Sequence, residues 1–133
     1  QQDLYEFALS FFKYLDQATD QELTNLPMYF LVQTAQLMGY GIQNNYSERE
    51  PYLNTYEGRF QPAPGTALPL FDKEQSELTS RFLDAADLNS FTAIQAPPAE
   101  RRVVLEGYLH FLQTHDSHFK PLRSLEVLQA ILH

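Results

Sequence analysis

Four histidines stand at positions 110, 115, 118 and 133, and His115 is followed directly by Asp116. Imidazole and carboxylate groups of this kind can hold a divalent cation that activates water, which is the chemistry of a metal-dependent phosphohydrolase. Such a site needs further His and Asp from separate upstream helices, and no His precedes residue 110. His115 and His118 in a connector, with no third ligand forced nearby, leave the set incomplete, so no metal or other cofactor is expected. Asp116, Ser117 and His118 contain the residue types of a triad, but neighbours in sequence rarely have triad geometry. The carboxylate pairs Glu48/Glu50 and Asp84/Asp87 carry no sign of the dry pocket that would separate acid from base. No GxGxxG, P-loop or nucleophile elbow is present; Gly39-Tyr40-Gly41 lacks a glycine three positions on. Structural roles are the better reading of each group, and the chain is expected to act by binding, not as an enzyme.

The net charge of −8 argues against a broad phosphate-binding surface. Its distribution is uneven. Residues 1–58 hold eight acids and two bases, residues 59–97 five and three, and residues 98–133 four and four. The basic character of the last third lies in Arg101, Arg102, Lys120 and Arg123, each of which taken singly reads as solvated surface. Eight Tyr and ten Phe supply large apolar area. Tyr with Arg could stack on single-stranded bases, but the charge places most of these rings in the core or against loops. Direct DNA contact by this segment should be weak. Zero Cys excludes disulfides, thiolate zinc sites and cysteine nucleophiles, and fits a cytosolic setting. No apolar run approaches the ~20 residues of a membrane helix, and nothing signals secretion.

These residues must be positioned by a single compact domain of 133 residues, whose start at Gln1 without Met suggests an excised or processed piece. Leu4, Ala8, Phe11, Phe12 and Leu15 predict an amphipathic helix over about 3–18. Pro27 suits a first helical turn, and the nearly all-round apolarity of Met28–Met38 predicts the most buried helix, ended by Gly39 and Gly41. Gly41–Pro69 has no 3.6-residue period and reads as a long irregular loop, about 40–70, pinned by Tyr46, Tyr52, Tyr56 and Phe60. Asp72 and Gln75 resemble a capping box opening a helix through Leu78, Phe82 and Leu83. A short helical piece follows around Leu88–Ile94. Pro98 opens the next helix, which carries Val104, Tyr108, Phe111 and Leu112 to about Thr114. Ser124 caps a last helix with Leu125, Leu128, Ile131 and Leu132 at core spacing. The expected architecture is all-α, a bundle-like domain of five or six helices.

Within that frame, Gly39-Tyr40-Gly41-Ile42-Gln43-Asn44-Asn45-Tyr46-Ser47, followed by Glu57-Gly58-Arg59-Phe60, is similar to a stretch of the RecO recombination mediators. So is Leu122-Arg123-Ser124-Leu125-Glu126-Val127-Leu128, where the family often has Lys before the Ser, and the helix ending Tyr108-Leu109-His110-Phe111 also fits. The resemblance covers most of residues 28–133 and points to the helical C-terminal domain. Many relatives carry a four-cysteine zinc site in the region of Gly41–Gly58, so this chain resembles the zinc-free members. The family's N-terminal OB-fold has no counterpart in the strand pattern, and single-stranded DNA binding is expected mainly through that missing domain.

The resemblance implies a role in recombinational repair in the bacterial cytoplasm, at the nucleoid. There the family remodels single-strand-binding protein (SSB), works with RecR and helps load RecA. A helical module with a partly basic, aromatic last third can receive an acidic tail ending in an apolar residue, as SSB tails do. Recognition needs an apolar cleft for the last side chain and a cation for its carboxylate. Arg101, Arg102, Lys120 and Arg123 are the candidate cations, and Tyr108 and Phe111 the candidate cleft walls. A scaffold domain docking only RecR or the missing OB-fold is the first rival, and it predicts an exposed apolar patch without a cationic rim. The phosphohydrolase is the second.

Overall fold

The computed structural model describes residues 25–37, 39, 41–66, 70–85 and 87–115. The helices expected at 3–18 and 124–132, with Asp116, His118, Lys120, Arg123 and His133, lie outside the described residues. Four helices and one two-stranded sheet are described: α1 (Leu26–Leu37), β1 (Tyr52–Asn54), β2 (Arg59–Gln61), α2 (Lys73–Asp84), α3 (Leu88–Thr92) and α4 (Pro98–His115). The domain is therefore mainly helical, but an all-α bundle is a correction to make, because a β-hairpin occupies the middle of the expected loop.

Helix α1 forms because its side chains have nowhere else to go. Eight of its twelve residues are buried, on every side of the helix. Pro27 sits in the first turn, where its missing N–H costs nothing. Gly39 just past the end has φ of 87°, a left-handed conformation that favours glycine, and its N–H donates to the Gln36 carbonyl at 3.1 Å. Helix α2 starts with the reciprocal capping box read from the sequence. The Asp72 carboxylate accepts from Gln75 N–H at 2.8 Å, and Gln75 Oε1 accepts from Asp72 N–H at 3.0 Å. Helix α3 is a single capped turn, with Asp87 Oδ1 accepting from Ser90 N–H at 2.7 Å. Pro98 is the first residue of α4.

Helix α4 is the piece against which the others assemble: α1 and α2 both pack on it, and α3 packs on α1. Phe91 of α3 lies edge-on to Tyr29 at 5.3 Å between centroids and against Phe82 at 4.9 Å. These rings join the ends of α1, α2 and α3. Buried Asn25 donates through Nδ2 to the Phe91 and Ile94 carbonyls, at 3.1 and 2.7 Å. It thereby adds a donor to the Phe91 carbonyl, which also accepts from Ile94 N–H at 3.3 Å, and supplies one to the Ile94 carbonyl just past α3.

Candidate functional site

The hairpin is built from side chains that stand in for missing strands. Its register pairs Tyr52 with Gln61, Leu53 with Phe60 and Asn54 with Arg59. Leu53 and Phe60 are buried side by side, while the flanking residues are half-buried or exposed. Backbone groups on the outer edges would be left without partners, a costly arrangement near the core. On the β1 edge, Leu53 N–H donates to Ser76 Oγ of α2 at 2.8 Å. On the β2 edge, Asn45 makes a two-point contact with Phe60, accepting its N–H at 2.7 Å and donating to its carbonyl at 2.9 Å. One residue earlier, Asn44 turns the other way. It donates to Asp84 Oδ1 at 2.7 Å and to the Ser80 carbonyl at 3.3 Å, and accepts from Ser80 Oγ at 3.0 Å. The adjacent asparagines thus tie the 41–47 segment to both the sheet and α2.

The hairpin tip is held in the same way. Asn54 Oδ1 accepts from the N–H groups of Tyr56 and Glu57, each at 2.9 Å, and the Asn54 carbonyl accepts from Gly58 N–H at 2.8 Å. Gly58 has φ of 71°, and a Cβ there would run into the Phe111 ring of α4. Gly107 similarly leaves room for the ring of Phe71, which leads into α2. At the end of α4, the His115 ring lies 4.4 Å from Phe111 between centroids, and its Nε2 is 2.7 Å from the Tyr56 carbonyl. A carbonyl only accepts, so Nε2 carries the proton and cannot ligate a metal while this bond persists. Among the described residues no cluster of His, Asp and Glu could hold a metal ion.

The residues expected to receive an acidic tail are separated by the structure. Arg101 is half-buried and Arg102 exposed, both near the start of α4, and neither is in an ion pair among the described residues. Tyr108 and Phe111 are only 1% and 3% exposed and pack edge-on at 5.8 Å between centroids. They are core residues, with Tyr108 beside Gly41 and Phe111 beneath Gly58, and they offer no cleft wall to a ligand. The periodicity already carried this answer, since both lie on one helical stripe with buried Val104. Lys120 and Arg123 lie outside the described residues.

A recess lies elsewhere, at the hairpin tip. A shallow hollow of about 110 Å³ opens between the hairpin tip and the connector to α2, lined by Leu53, Asn54, Thr55, Tyr56, Gly65, Thr66, Leu70 and Phe71. Tyr56 is 61% exposed and Leu70 51% exposed. Two cations of the hairpin and of α2 are engaged. Arg59 pairs with Glu57 at 3.1 Å, and Lys73 lies over the Tyr52 ring at 5.8 Å from its centroid. Sequence reading missed this recess because Leu70 and Tyr56 belong to a segment with no period to assign them a face.

The described fold defines a mainly helical domain with an inserted β-hairpin, and no helix among the described residues is long and apolar enough to cross a membrane. Compared with family models, curated proteins and solved structures, the chain matches none of them.

Proposed function

We propose that this chain is a non-catalytic, partner-binding domain of the recombination-mediator type, acting in DNA repair with RecR and RecA and receiving the acidic tail of SSB. One observation carries the reading. The stretch similar to RecO, around Gly41–Ser47 and on through Glu57–Phe60, folds back on itself, with Gln43 N–H donating to the Gly58 carbonyl at 2.8 Å and Asn45 clamping Phe60. The periodicity of residues 3–18 and 124–132 is what would raise the described four helices to that domain's five or six.

In this reading Arg101 and Arg102, together with Lys120 and Arg123, draw the carboxylates of the tail. Screening limits repulsion from the acidic remainder of the chain to ~8–10 Å. Each exposed cation contributes only ~0.2–1 kcal/mol, so single alanine replacements weaken binding a few-fold. The terminal apolar residue contributes more where a cleft buries it, ~1.5–3 kcal/mol for a Phe-sized side chain, and Tyr108 and Phe111, being core, are not the walls of that cleft. The test is a labelled tail peptide titrated against the domain, with and without its last residue, at low and moderate salt. Binding indifferent to that deletion, or to joint reversal of Arg101, Arg102, Lys120 and Arg123, would remove the tail-binding site.

A second reading is favoured by the hollow. Its exposed Tyr56 and Leu70 offer apolar contact area, and no basic residue among the described ones lines it, which is what a scaffold docking RecR or an OB-fold calls for. Leu70→Glu should then abolish RecR capture while leaving tail binding intact. The phosphohydrolase reading gains no support, since His115 is committed to the Tyr56 carbonyl.

A further inference from the structure

We draw no further inference here: the strongest candidate, the hollow at the hairpin tip between Tyr56 and Leu70, is a surface for which nothing in the structure shows what covers it.

Discussion

Helix α1 and the β-hairpin both join the core around α4, yet different interactions hold them there. Helix α1 contributes apolar side chains and satisfies its own backbone internally, so its position depends on burial, which has no preferred direction. The hairpin buries only Leu53 and Phe60 from its strands. Its remaining attachment is directional: Ser76 and Asn45 on its edges, Asn54 inside its turn, and Gly58 where the tip meets Phe111. A surface held by bonds of fixed geometry tolerates fewer substitutions than one held by area. It also opens locally when a single partner is removed.

The largest expected effect is at Gly58. Replacing it with Val places a side chain in a left-handed conformation and against the Phe111 ring. Together these should cost about 2–5 kcal/mol in urea unfolding, comparable to Leu31→Ala in the middle of α1. A cost below ~1 kcal/mol would mean that the tip leans only loosely on α4 and that the two regions differ less than their contacts suggest.

Next is Asn45→Ala, which leaves the Phe60 N–H and carbonyl without their partner, at a cost of about 1–3 kcal/mol. The loss should be local. Amide exchange should quicken at Phe60 and its neighbours while the α1 amides keep their protection. An equal rise in both regions would break the distinction between them. Thr34→Val tests the opposite side. Thr34 Oγ1 is buried in α1 without a hydrogen-bond partner, so exchanging the hydroxyl for a methyl should stabilise the domain by about 1 kcal/mol. A loss of stability would show that polar contacts matter in α1 as well.

The same division explains what could be read from the sequence. Apolar periodicity and caps are local signals, and they located α1, the Asp72–Gln75 capping box and Pro98 at the head of α4. The hairpin was not legible, because strands of three residues hold barely one alternation. The bonds completing its edges come from Ser76 and Asn45, 23 and 15 residues away in sequence. The candidate site failed for another reason. Tyr108 and Phe111 were assigned to a cleft on their chemistry, although their spacing with Val104 marked the core-facing stripe. Arg101 and Arg102 keep their place as candidate cations because nothing in the described fold engages them in an ion pair.

The smallest expected effect belongs to neither burial nor the hairpin clamps but to an exposed cap. Asp87 accepts the Ser90 N–H at the start of α3, and hydrogen bonds from the Ser90 backbone and side chain hold its carboxyl below the ordinary range. A carboxylate with a depressed folded-state value binds its proton less readily folded than unfolded. Its stabilising contribution is therefore fully present above the unfolded value, near 4, and is lost as pH falls through the lower folded value. Asn is an equally good N-cap that does not titrate, which makes Asp87→Asn the comparison to use. Between pH 7 and pH 5 the two melting temperatures should run parallel. Below pH 4 the wild type should fall faster than the variant, since only it exchanges a charged acceptor for a protonated one. A difference constant from pH 7 to pH 2 would show that the Asp87 carboxylate contributes nothing beyond its shape, leaving α3 to its packing through Phe91 and Leu88 and to the Asn25 amide.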